Sequence, residues 1–138
     1  MLDRLTLRGA AWLLIGGFVL HNADHARRGL DVVDEGIVWA GTLLLVLAAI
    51  ALTLVFTGHE RAPLAAAILG PTIVVGVAAA HLPPEWGPLS DPLITGDAGI
   101  VTFVAVASEI VAGALFGWVG WRILQHHEYD LAVPQPAW

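Results

Sequence analysis

The residues best suited to chemistry lie in the stretch His21-Asn22-Ala23-Asp24-His25-Ala26-Arg27-Arg28-Gly29. On a helix, His21 and His25 are four apart and Asp24 is three from His21, so all three share one face. A His-x-x-x-His pair of this kind chelates zinc or copper. One more imidazole from a neighbouring helix, with an optional carboxylate, completes three or four ligands. His81 is the expected third imidazole, and Asp24 is expected either as a ligand or as the acceptor that orients one. The 138 residues include no cysteine. Thiolate sites, disulfides and cysteine redox chemistry are therefore excluded. Nitrogen and oxygen donors alone fit Zn(II), Cu(II) or Fe(II) better than Cu(I), so the expected cofactor is a transition metal ion: Cu, Zn or Fe.

Two other readings use the same residues. Haem b can sit between His21 or His25 and His81 on different helices, with Gly16 and Gly17 making room for the macrocycle. No second histidine pair is placed to pass electrons on across a membrane, and Asn22 and Asp24 are polar company for a porphyrin. The plainer reading is a polar network near the lipid headgroups, with Arg28 paired to Asp24 and the histidines bonded to backbone or water.

Glu109 is the other residue that demands a role. It lies about 16 Å below the start of its helix, at 1.5 Å per residue. A carboxylate deep in an apolar helix is expensive and functional by default, as proton relay, cation ligand or acid/base group; it is the candidate catalytic residue. Its plain alternative is structural glue, hydrogen bonded to Thr102, Ser108 or Thr72 across the bundle. Ala105, Ala112, Gly113, Gly117 and Gly120 form a small-residue stripe beside it, so it faces other helices.

The elements that must position these groups are strongly apolar. Hydrophobic residues make up 57% of the chain and charged residues 13%, and the mean hydropathy is +0.76, far from a soluble average. The apolar residues fall in four blocks, each near the roughly 20 residues that cross a bilayer. The expected fold is an all-α integral membrane protein, an antiparallel bundle of four transmembrane helices in one domain, residues 1–125. The helices are expected at about 5–28, 36–57, 63–81 and 98–125, with a polar tail at 126–138. Gly29 is a natural stop for the first helix. Asp34 is a plausible cap for the second, and Pro63 suits the first turn of the third. Gly70-Pro71 predicts a kink in the third helix. The first helix is read as retained, because no cleavage pattern follows its apolar run.

The loop at 82–97 carries Pro83, Pro84, Pro88 and Pro92. It reads as a stiff lid or docking surface rather than a spacer. Ser90-Asp91-Pro92 resembles a cap and first turn, Asp97 a cap for the fourth helix, and Glu85, Ser90 and Asp91 can close over the histidines. All basic residues are arginine. Arg4, Arg8, Arg61 and Arg122 on one side against Arg27 and Arg28 on the other favour both termini inside, N-in/C-in. Trp39 and Trp86 would mark the outer interface and Trp118 and Trp121 the inner one. The outer face would then hold His21, His25, His81 and the acidic residues Asp24, Asp31, Asp34, Glu35, Glu85, Asp91 and Asp97, which favours cations.

No phosphate-binding loop, dinucleotide fingerprint, nucleophile elbow or zinc-protease motif occurs. The formal net charge of -6 and the membrane setting exclude nucleic-acid binding. The leading expectation is a small bacterial plasma-membrane protein that binds a transition metal at the outer leaflet, as an oxidoreductase or in metal handling. The alternatives are a non-catalytic accessory subunit of a larger respiratory or oxidative membrane complex, and a haem b electron carrier. Expected partners are the lipid bilayer and other membrane subunits or further copies of the chain.

Overall fold

The computed structural model describes residues 2–29, 33–93 and 99–132. Among them the secondary structure is helical throughout: α1 (Leu2–Arg28), α2 (Glu35–Thr57), α3 (Ala62–His81) and α4 (Ile100–Ala132). Three of these, α2, α3 and the Ile100–His126 part of α4, are long and apolar enough to cross a membrane. α1 has the length, but its apolar run is bracketed by Arg8 and by the polar stretch from His21 to Arg28.

Local signals set the ends. Gly29 takes a positive φ of 98° and its N–H donates to the carbonyl of His25, which closes α1. Asp34 Oδ1 accepts from the N–H of Gly36 at 2.8 Å, capping α2, and Gly58 ends α2 with φ 70°. α3 runs on through Pro71. α4 continues past Gln125 to Ala132, beyond its expected end, because the segment His126-His127-Glu128-Tyr129-Asp130 holds no helix breaker. The expected roles of Asp31 and Asp97, and the outer part of the tail, lie outside the described residues.

Tight packing comes from small residues. A Cβ on Gly113 would lie 2.9 Å from Ile73 Cγ2, one on Gly117 2.8 Å from Pro71 Cδ, and one on Gly120 2.6 Å from the Pro63 carbonyl oxygen. The small stripe of α4 is thus the seam against α3, close enough that side chains would force the helices apart. On the other side of α4, a Cβ on Gly17 of α1 would meet Glu109 Cα at 3.0 Å and Ala112 Cβ at 3.3 Å. Leu14, Ala66, Ile73, Val106 and Phe116 fill the buried centre. α2 buries only Ile37, Ala48, Ala51 and Val55, and exposes Leu43, Val46, Leu47 and Ile50, as a wall turned to lipid does.

The segment after α3 folds back on it. Asp91 N–H donates to the Ala80 carbonyl and Leu93 N–H to the His81 carbonyl, each at 2.9 Å, so the loop satisfies carbonyls at the end of α3. Ser90 does not start a helical turn as its sequence suggests. Its hydroxyl donates to the Gly87 carbonyl and accepts from the Trp86 N–H, building a tight turn that aims Asp91 inward.

Candidate metal centre

The end of α1 meets the end of α3 at three imidazoles. His21, His25 and His81 each offer a ligand nitrogen, and these atoms all lie within 4.8 Å of one another. His25 stacks on His21 with ring centroids 4.7 Å apart, and His81 meets His21 edge-on at 4.9 Å. His21 and His81 are buried and His25 is partly so. Nitrogen ligands at 2.0–2.1 Å from a tetrahedral ion stand about 3.3 Å apart, so an ion would draw these rings together by about an ångström.

Each ring is oriented by its other nitrogen. His21 Nδ1 and Glu109 Oε2 share a short buried hydrogen bond from α1 to α4, in which a carboxylate at Glu109 accepts from Nδ1–H. The close approach at Gly17, one turn below His21, brings Glu109 within reach. Fixing the proton on Nδ1 leaves Nε2 with a bare lone pair, and His21 Nε2 is buried with no hydrogen-bond partner. His81 Nδ1–H donates to the backbone carbonyl of Asp91 at 2.8 Å, which likewise frees Nε2. Carboxylate and carbonyl acceptors behind a histidine are the usual supports of metal-bound imidazoles. His25 differs. Arg28 donates to its Nδ1 at 3.0 Å, which places the His25 proton on Nε2. Ligation through that nitrogen requires Arg28 to release Nδ1, and Asp91 Oδ2, 3.8 Å away, is the acceptor positioned for the displaced proton.

Asp24 is not one of the three converging residues and is linked to them through Arg28. It is 2% exposed, and its Oδ1 accepts from Arg27 Nε at 3.0 Å and from a second Arg27 nitrogen at 2.7 Å. Arg28 Nε lies 3.3 Å from Asp24 Oδ2, an ion pair without hydrogen-bond geometry. Arg28 also grips the Asp91 carboxylate with two nitrogens. Burial alone would push the Asp91 carboxyl up, but the Arg28 hydrogen bond and charge outweigh it and hold the group below its usual range. Of the loop residues expected near the histidines, Asp91 reaches them, Ser90 shapes the turn, and Glu85 is exposed.

Two connections were not anticipated from sequence. Arg27 reaches across to the buried Thr102 of α4, at 3.3 Å. Thr102 precedes Glu109 by two helical turns and so shares its face, which is the sequence signal that links them. Asn22, beside the histidines, turns back to donate to the Phe18 carbonyl of its own helix.

A cavity of about 400 Å³ opens beside the imidazoles between α1, α2 and α3; His21, His25, His81 and Glu109 are among its lining residues. No protein-family model matches the chain, and no curated protein or solved structure is similar to it.

Proposed function

We propose that the chain is an integral membrane protein that holds a transition metal ion through His21, His25 and His81, with Glu109 orienting His21 and Asp91 orienting His81. The carrying observation is the convergence of three imidazoles from two helices within 4.8 Å, two of them with the second nitrogen already engaged. Imidazole donors without sulfur suit Cu(II), Zn(II) or Fe(II). The role is that of a membrane oxidoreductase or a metal-handling protein. In the first case Glu109, bonded to a ligand and buried beside the cavity, is the group able to take or return a proton. Asp24, held by two guanidiniums, serves the site by fixing Arg27 and Arg28.

A single ion fits these rings better than haem. Bis-histidine haem needs its ligands across the face of a flat macrocycle, whereas His21 and His81 meet edge to face at 4.9 Å.

The proposed topology is an antiparallel four-helix bundle with both termini inside and the imidazoles at the outer leaflet of a bacterial plasma membrane. Along α1 the partners Gly17, His21 and Arg27 meet Ala112, Glu109 and Thr102 in descending order on α4, which supports opposite directions for that pair. Exposed Trp39 and Trp86 near one end, and Trp118 and Trp121 toward the other, support two interfacial belts.

Elemental analysis of the purified chain tests the reading. Near-stoichiometric Cu, Zn or Fe is expected, with loss in a His21→Ala, His81→Ala double variant. A wild type free of these metals after growth and dialysis in their presence would sink it.

A further inference from the structure

The cavity beside the imidazoles is mostly apolar. Its walls come from Phe18 of α1, Ile37 and Leu44 of α2, and Val77 of α3, and its ionisable groups are His21, His25, His81 and Glu109; Asn22, Thr42 and Thr72 also line it, but each donates to a carbonyl of its own helix. Two glycines on different walls keep it open: a Cβ on Gly41 of α2 or on Gly76 of α3 would meet nothing within 4 Å. Val38 and Leu45, roughly half exposed, also line it, so it is open to the surroundings at the apolar level of α2. In a bilayer those surroundings are lipid, and a molecule arriving there comes from the membrane. The volume of about 400 Å³ lies in the range, ~300–1,000 Å³, of pockets that take small organic ligands.

What the imidazole cluster asks for is specific. His21 Nε2 is buried and unpartnered, and the lone pair it presents is an acceptor in want of a donor. A buried polar atom without a partner costs about 1–3 kcal/mol, which a ligand can recover by supplying the hydrogen bond. A carboxylate head would bring a buried negative charge beside the Glu109 carboxyl and no proton for Nε2. A hydroxyl supplies a proton to Nε2 when the metal is absent and an oxygen lone pair when it is present.

We propose that this cavity binds a membrane-dissolved molecule with an aliphatic body and a single hydroxyl head, a long-chain alcohol, the head seated at His21 and the chain lying between α2 and α3. The inference deepens the metal-centre reading and rests on it for the loaded form of the site.

The test is saturable binding of radiolabelled 1-dodecanol to the purified full chain in lipid nanodiscs, against empty nanodiscs, with dodecane and dodecanoate as competitors. One dodecanol per chain is expected, displaced at least tenfold less well by dodecane or dodecanoate. Gly76→Leu and, separately, Gly41→Leu should weaken binding tenfold or more by filling the space, while metal content by elemental analysis stays at the wild-type level and reports an intact centre. Absence of saturable binding would overturn the proposal, and so would equal competition by dodecane or unchanged binding in both leucine variants. Stronger displacement by dodecanoate would overturn the hydroxyl assignment. A metal-free wild type that still binds dodecanol saturably would remove the metal reading and leave the alcohol site standing.

Discussion

His21 and Glu109, 88 positions apart in the chain, share a buried hydrogen bond that joins the first helix to the last. That bond sets how the His21 ring is turned, and a carboxylate there holds the proton on Nδ1. Removing such a support from a metal-bound imidazole typically weakens metal binding 10–100-fold. Glu109→Gln keeps the shape and replaces the carboxyl with an amide, so its metal affinity should fall by about tenfold, and that of Glu109→Ala by more. Isothermal titration of the stripped protein measures both.

The contact depends on Gly17. A side chain there would run into the Glu109 backbone at 3.0 Å, and a backbone cannot swing aside as a long side chain can. Gly17→Val should lower stability by about 1–3 kcal/mol, the usual cost of overpacking, and should reduce metal content with it. Gly16, adjacent in sequence, is exposed and has open space around it. Gly16→Ala should be neutral or stabilising by up to ~1 kcal/mol, since alanine is the better helix former. Thermal unfolding in detergent, followed by circular dichroism, separates the two.

Asp91 secures the loop to α1 and to α3 at once. Its carboxyl is held below 3.8 mainly because Arg28 overcomes the upward push of burial. A carboxyl of lower pKa in the folded chain than in the unfolded one stabilises the fold above its unfolded value. That stability is lost as pH falls through the folded value. Asp91→Asn should therefore cost about 2 kcal/mol near neutrality, the scale of a hydrogen bond to a charged group. The gap from wild type should narrow as pH drops below about 4. Unfolding midpoints of the pair across that range provide the check.

A ligand bound only by the folded state raises stability by about 2.7 kcal/mol at one hundred times its dissociation constant. Chelation should lower the unfolding midpoint of the wild type and leave that of the His21→Ala, His81→Ala variant where it was. Equal shifts in both would mean that the ion acts elsewhere.

Much of the scaffold was legible in the sequence, and for identifiable reasons. Asp34 and Gly29 work through their own backbone neighbours, so their roles follow from position alone. The i,i+4 spacing of His21 and His25 and the topology that returns α3 to the same level were enough to foresee His81 beside them. Periodicity also showed that Glu109 faces a helix, but it could not say which one. The choice of His21 over Thr72 or Ser108 is made by the packing at Gly17, a property of two helices together. The same limit applies to Asp24. Its spacing permits a metal ligand, but does not reveal that its Oδ1 accepts from Arg27 while Oδ2 faces Arg28 at 3.3 Å without a hydrogen bond. Asp91 could be named as near the cluster but not assigned its partners, because they arise when the loop folds back onto the end of α3.

The glycine seam bears on which part of the molecule yields most easily. With Gly113, Gly117 and Gly120 pressed against α3, the two helices form one stiff post, and α1 is pinned to it by His21 and Arg27. α2 is attached differently: the hydrogen bond it accepts from Arg8 is at Phe56, at the end remote from the imidazoles. Among the described residues, Leu44, Ala48 and Ala51 hold it to the bundle by apolar contact, and lipid tails replace apolar contacts at little cost. In the proposed membrane setting the bilayer is thus a competitor for the inner face of α2, and chain length and lateral pressure in the surrounding lipid become control variables for how readily the imidazoles are reached.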